Sequence, residues 1–285
     1  MAQKSVPLLG THLSIAHGYM QTIHDAQMLD CNAIQMFTHS ARSWNAKNIA
    51  PDEKKEFIAE KHKLGLTVIS HASYLINIGS PKSATLNHSQ ALLSKELEYC
   101  HELAIPYLVL HPGACLESDI TICINQIAQT LDHVLSTHTG NTMILLENMA
   151  GQGSTIGARF EELAEIRQRT HHKKRIGFCL DTCHAFSAGY AFDTKKNYEN
   201  FMGTIDKTIG IDHIKIIHIN DSATPYDSHK DRHEHIGKGT IPLLSFSLIM
   251  NDQRFSTIPK ILETPKDANF EFDKKNLTLL RSLIQ

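Results

Sequence analysis

The sequence predicts an α/β fold, a closed (β/α)8 barrel of parallel strands. Three observations lead there. Apolar runs of strand length alternate with segments of helical spacing, eight times over 285 residues, and such alternation implies a parallel sheet with right-handed crossovers. Six of those runs stop on a histidine, aspartate or glutamate, as expected where the strand ends share one face beneath a polar site. No internal repeat, low-complexity segment or linker interrupts the chain, so residues 1–285 are expected to form one domain.

Pro7-Leu8-Leu9-Gly10-Thr11-His12 reads as the first strand, and Tyr19 to Leu29 has helical spacing. Ala33 to Phe37 is the second strand, leading into a polar loop with Arg42 and the single tryptophan, Trp44. Pro51 and Asp52 open a helix through Leu64, since proline and an acidic residue both suit a first turn. Strand three ends at His71, and the loop after it holds apolar Tyr74-Leu75-Ile76 where polar residues are usual. A helix from about Leu86 to Leu103 precedes strand four, ending at His111. Helix Ile120 to Leu135 precedes strand five, ending at Glu147. Helix Phe160 to Arg169 leads to strand six, Ile176 to Asp181, followed directly by Thr182-Cys183-His184. Asn197 to Ile209 is helical, and strand seven ends at His218. A polar loop then carries Asp231-Arg232-His233. Leu243 to Met250 is a helix before strand eight, ending at Glu263, and a tail helix closes the chain.

The formal net charge of -2 announces no broad cationic surface. The 19 histidines are the outlier in composition, and imidazoles clustered with carboxylates suit a borderline-soft divalent ion such as zinc. The cysteines form no C-x-x-C pair and read as reduced thiols, with Cys179 and Cys183 packed in the interior. Six residues, Met1 to Val6, precede the first apolar run, and no stretch approaches a membrane span. A cytoplasmic protein without a membrane partner is expected.

Two short motifs add donors to the six strand ends. Asp181 and His184 are three residues apart. Asp231 and His233 are two apart, and in extended backbone they share a side. The candidates are then His71, His111, Glu147, Asp181, His184, His218, Asp231, His233 and Glu263. One zinc takes about four ligands, so this set points to more than one ion, with a carboxylate shared between them. Clustered divalent ions suit phosphate-ester hydrolysis: they generate hydroxide at neutral pH, neutralise non-bridging oxygens and stabilise a leaving alkoxide. Glu147 or Glu263 can bridge ions and hold or deprotonate the attacking water. His12 and His39 also sit near strand ends, either beside such a site or facing substrate.

The segments H-A-S-Y-L-I-N-I-G-S (71–80), H-P-G (111–113), L-E-N-M-A-G-Q-G-S (146–154), L-D-T-C-H-A-F-S-A-G-Y (180–190), H-I-N-D-S (218–222), D-R-H-E-H-I-G-K-G (231–239) and I-L-E-T-P (261–265) closely resemble the endonuclease IV family of zinc-dependent abasic-site endonucleases. The resemblance spans the chain. It implies a TIM barrel with three zinc ions, manganese being an alternative occupant of one site. His71, His111 and Glu147 would hold the first ion. Glu147, Asp181, His218 and Glu263 would hold the second, and His184, Asp231 and His233 the third.

It also implies a monomer of base-excision repair that cuts duplex DNA on the 5′ side of an abasic site, leaving a 3′-hydroxyl and a 5′-deoxyribose phosphate. Arg42, Tyr74 and Leu75 match the family's loop residues that fill the gap left by the extruded nucleotide. The loop before Arg42 departs from the family, carrying His39-Ser40-Ala41 where relatives often carry lysine-asparagine-proline. Three zinc ions would add about +6 on the DNA-facing side, where Lys82, Lys230, Arg232 and Lys238 are further candidates for phosphate contacts. A sugar isomerase on a similar barrel is the main rival enzyme, but such sites are rich in carboxylates, whereas five of the donors here are histidines. A non-catalytic metal- or DNA-binding protein is the third reading.

Overall fold

The computed structural model describes residues 7–45 and 48–285. In chain order the strands are β1 (Leu9–Leu13), β2 (Ala33–Met36), β3 (Thr67–His71), β4 (Tyr107–Leu110), β5 (Met143–Glu147), β6 (Ile176–Asp181) and β7 (Ile214–His218). They are followed by β8 (Asp221–Ser222), β9 (His233–Glu234) and β10 (Lys260–Leu262). The helices are α1 (Tyr19–Met28), α2 (Pro51–Lys63), α3 (Ser83–Glu102), α4 (Ile120–Thr137), α5 (Phe160–Arg169), α6 (Thr182–Ser187), α7 (Lys195–Thr208), α8 (Leu243–Asn251) and α9 (Glu271–Ser282). Strands β1 to β7 and β10 close a parallel barrel in the order β1-β10-β7-β6-β5-β4-β3-β2. This is the (β/α)8 TIM barrel that the alternation predicts. Strands β8 and β9 form a separate antiparallel hairpin.

Side-chain alternation divides the interior in two. Ala33, Ile69, Val109, Leu145, Cys179, Ile216 and Ile261 form a buried plug inside the barrel. The larger core, including Phe57, Leu97, Phe160, Tyr198 and Phe246, fills the shell between strands and helices. At Gly10 in β1 an added Cβ would stand 1.6 Å from the Ala33 carbonyl oxygen, so only glycine lets β1 lie this close to β2.

The plug also positions the site. Along a strand, residues two apart share a face. His71, His111, Glu147, Asp181, His218 and Glu263 each lie two residues beyond a plug residue. Each therefore turns inward, one layer above the plug, at the C-terminal mouth where barrel sites are built.

The helix starts follow local chemistry. Pro51 opens α2, with Asp52 and Glu53 in its first turn. The Asp119 side chain accepts from the Thr121 and Ile122 amides to cap α4. Two features were not anticipated. Residues after Asp181 form the short helix α6 rather than a plain turn, and His233 opens a strand rather than lying in a loop. Ile76 also departs from its neighbours Tyr74 and Leu75, being buried in the core. Among the described residues no helix is long and apolar enough to cross a membrane.

Candidate metal centre

Donor atoms at the barrel mouth gather into three groups, each able to hold a metal ion. His71, His111 and Glu147 form one. Glu147, Asp181, His218 and Glu263 form the second, and His184, Asp231 and His233 the third. Within each group the candidate ligand atoms all lie within 4.8 Å of one another. Glu147 belongs to two groups. Its Oε2 stands 3.3 Å from His71 Nε2 and 3.2 Å from His111 Nε2, while its Oε1 stands 2.9 Å from His218 Nδ1. His218 Nδ1 also lies 3.0 Å from Glu263 Oε2. The sulfurs of Cys179 and Cys183, both buried as expected, fall within two further donor groups.

Four of the five imidazoles are oriented by a hydrogen bond from the other nitrogen. His71 Nδ1 donates to the Ala72 carbonyl at 2.7 Å, and His184 Nδ1 to the Asn148 carbonyl at 2.9 Å. His233 Nδ1 donates to the Glu263 carbonyl at 3.1 Å, and His218 Nε2 to Gln35 Oε1 at 2.8 Å. These bonds fix the tautomer and leave one nitrogen of each ring facing the group, the arrangement typical of metal-bound histidine. His184 Nε2 and His233 Nε2 are buried without a hydrogen-bond partner among the described residues. Buried polar atoms are normally satisfied, so two orphaned ring nitrogens beside the Asp231 carboxylate fit a divalent cation.

Asp181 carries two duties. Its Oδ1 accepts from the His184 amide at 2.7 Å, capping α6, while its Oδ2 accepts from Asn220 Nδ2 at 2.7 Å. Sequence reasoning missed three amides here. Gln35 Nε2 donates to Glu263 Oε1 at 2.6 Å and also meets His12 Nδ1 at 3.0 Å. Asn148 brackets the Asp181 backbone, and Asn220 Oδ1 accepts from the Glu263 amide at 2.7 Å. Gln35 did leave a signal, being the one polar residue in the apolar run 33–37.

The electrostatics are those of a tightly coupled cluster. Burial alone would raise the Glu147 carboxyl, but His218 and His111 hold it well below the usual carboxylate range. Burial opposes charge on His184, yet Asp181 and Asp231 push its pKa well above that of free histidine. Burial likewise opposes charge on Asp231, but His184 and His233 bring its pKa down to about 2. Cations are thus strongly favoured among these carboxylates, and a divalent ion would compete with protons on the histidines.

Six of the donors, His71, His111, His184, Asp231, His233 and Glu263, line a cavity of about 260 Å³ that Tyr74 also borders. Tyr74 is 62% exposed, with its ring centre 5.8 Å from that of His71. Leu75 is half-buried, and Arg42 is exposed in the loop after β2. Lys82, Lys230, Arg232 and Lys238 are exposed as well. Of the two remaining histidines near strand ends, His12 sits beside the centre, 3.8 Å from Glu263. His39 does not face it, being buried against Glu96.

Comparisons agree with this geometry. A family model described as a xylose isomerase-like TIM barrel matches residues 23–283. The probable endonuclease 4 of Chloroflexus aurantiacus is 39% identical over 98% of this chain and 99% of its own. The crystal structure of endonuclease IV from Thermus thermophilus superposes with a TM-score of 0.85 at 32% identity, covering 97% of this chain and 98% of that one. A D-tagatose 3-epimerase-like protein reaches a TM-score of 0.73 at 19% identity over 96% of each chain and shares the fold alone. With near-complete coverage by relatives at this identity, the chain belongs to the endonuclease IV family.

Proposed function

We propose that this chain is a DNA repair endonuclease that hydrolyses the phosphodiester on the 5′ side of abasic sites in duplex DNA, leaving a 3′-hydroxyl and a 5′-deoxyribose phosphate. His71, His111 and Glu147 would hold one zinc ion, Glu147, Asp181, His218 and Glu263 a second, and His184, Asp231 and His233 a third. The observation that carries this reading is the convergence of three donor groups, two of them sharing Glu147, beside an exposed Tyr74. When bound, such ions acidify water, neutralise phosphate oxygens and stabilise the leaving alkoxide.

The residues divide the remaining work. The Glu147 side chain is 0% exposed and surrounded by histidines, which suits a bridging ligand rather than proton exchange. Glu263 is 14% exposed at the cavity, with Oε1 held by Gln35. Its carboxylate would orient the attacking water and take its proton. Tyr74 and Leu75 would fill the duplex where the abasic nucleotide leaves the stack. Extrusion there costs less because no base pair is broken. Arg42 would contact the duplex beside them, and the exposed Lys82, Lys230, Arg232 and Lys238 would meet backbone phosphates. The enzyme would act as a single-domain monomer in the cytoplasm.

The test is incision of a duplex bearing one tetrahydrofuran abasic analogue, with end-mapping of the products and metal analysis of the same preparation. Cutting on the 5′ side, close to three zinc ions per chain, and loss of cutting on slow chelation are expected. Metal-replete protein that leaves the duplex intact would remove the endonuclease reading.

A further inference from the structure

Glu96 lies in α3, outside the three donor groups, and its side chain is 1% exposed. A buried carboxylate is costly unless paired, and this one is paired across two loops. Its Oε1 stands 2.7 Å from His39 Nε2 and accepts from the Ser73 amide at 3.0 Å. His39 belongs to the loop after β2 that carries Arg42, and Ser73 immediately precedes Tyr74 and Leu75. The loops also touch directly: Ser73 Oγ donates to the Ala41 carbonyl at 2.7 Å and accepts from the Leu75 amide at 3.2 Å.

Two further contacts fasten the first loop to α3. The Trp44 ring packs on His88 with centres 5.5 Å apart, and Lys95 Nζ donates to Asn48 Oδ1 at 3.1 Å. Those two contacts are exposed and weak individually, whereas the Glu96 contacts are buried and charge-assisted. Glu96 thus ties both loops to α3 through buried contacts.

We infer that Glu96 is a positioning residue, clasping the Arg42 loop and the Tyr74-Leu75 loop into one unit through His39 and Ser73, so that the side chains that read DNA meet the duplex already set relative to one another. The inference rests on the DNA-contacting role proposed above for Arg42, Tyr74 and Leu75. Fixing both loops before binding removes an ordering cost that binding would otherwise meet. Loss of the clasp should therefore weaken engagement of DNA and leave the chemistry at the metal centre largely intact.

Hydrogen exchange on the metal-loaded, DNA-free protein, followed over segments 38–45 and 72–76, tests the clasp without reference to activity. Glu96→Ala should speed exchange in both segments together. His39→Leu should do the same, whereas His39→Lys, which keeps a side-chain donor for Glu96, should retain protection. In steady-state incision of the abasic duplex, Glu96→Ala should raise KM about tenfold or more, as loss of a buried charge-assisted bond implies. Its kcat should stay within about threefold and its zinc content should not change.

Glu96→Gln keeps an acceptor for the Ser73 amide and decides the matter if the alanine variant does not fold. It should loosen segment 38–45 and raise KM in the same direction. Unchanged exchange in both segments, or a fall in kcat with KM unmoved, overturns the inference. If the parent protein fails to incise, the DNA reading falls, and the exchange comparison still decides whether Glu96 joins the loops.

Discussion

The deep and outer parts of the candidate metal centre are built in different ways. Glu147, Asp181 and His218 end barrel strands, and Glu263 follows one directly, each standing two residues above the plug that fills the barrel. Their placement is as rigid as the barrel itself. His184, Asp231 and His233 come from α6 and from the region of the β8–β9 hairpin. Side-chain and carbonyl bonds place them instead: Asp181 caps His184, the Asn148 carbonyl holds its ring, and the Glu263 carbonyl holds the His233 ring. The outer group therefore borrows its geometry from the deep one. Damage should spread outward and not inward.

The sharpest way to break this asymmetry is at the shared carboxylate. Glu147→Gln removes a charge that faces His71, His111 and His218 in a buried site. Breaking such a buried arrangement costs about 3 kcal/mol or more, a hundredfold or greater loss in metal affinity. We expect at least two of the three proposed zinc ions to be lost, with incision falling by a larger factor still. Metal analysis after dialysis against a weak chelator checks this. Retention of all three ions would mean that Glu147 does not join the sites.

At the outer group the expected loss is smaller and confined. Asp231→Asn should release one ion and leave the two deep ions in place, so that zinc content falls from about three to about two. Incision should drop, and slow chelation of the parent protein should remove this ion first. If instead the deep ions leave together with the outer one, the two groups are cooperative and the outward direction of damage is wrong.

Gln35 supports the deep group from the same layer of the barrel. It accepts from His218 Nε2 and donates to Glu263 Oε1, so it orients two ligands of the deep group while belonging to none. Gln35→Leu should cost about 10- to 100-fold in metal affinity or activity, the usual range for a partner that orients metal ligands. The loss should appear at the deep pair and spare the outer ion. Zinc titration of the chelated variant distinguishes this from a general loss of folding.

How legible these features are in the sequence follows the same division. The deep group was readable because a strand period of two, short apolar runs and an ionisable terminus coincide in each of six strands. His184 is legible but its helix is not, since the six residues of α6 are too few to display a helical period. The hairpin strands have two residues each and show no alternation. Asn148 and Asn220 carry no charge to flag them, although they flank Glu147 and His218 in sequence. The tie between His39 and Glu96 spans 57 residues, and nothing local predicts a contact between a loop and the middle of a helix. Only the folded chain brings them together.

The smallest expected effect lies remote from both metal groups and serves as their control. The Asp132 carboxylate accepts from the His171 and His172 amides at 2.8 and 3.1 Å, and it stands 2.7 and 2.9 Å from their ring Nδ1 atoms. Burial opposes its charge, but these bonds hold its pKa at about 2, below the ordinary 3.8. A carboxyl depressed in this way contributes stability that is present above pH 3.8 and lost as pH falls through about 2. The contribution is about 1–2 kcal/mol at neutral pH, less than the full shift implies because His171 is exposed. In the chelated, metal-free form, Asp132→Asn should lower the melting temperature by about 2–6 °C at pH 7. The gap from the parent protein should narrow below about pH 4, as Asp132 begins to protonate in the unfolded chain while it stays ionised in the folded one. A gap that widens on acidification would mean that Asp132 is not the charged partner of these histidines. Zinc content and incision by the metal-loaded variant should match the parent, because Asp132 belongs to none of the donor groups.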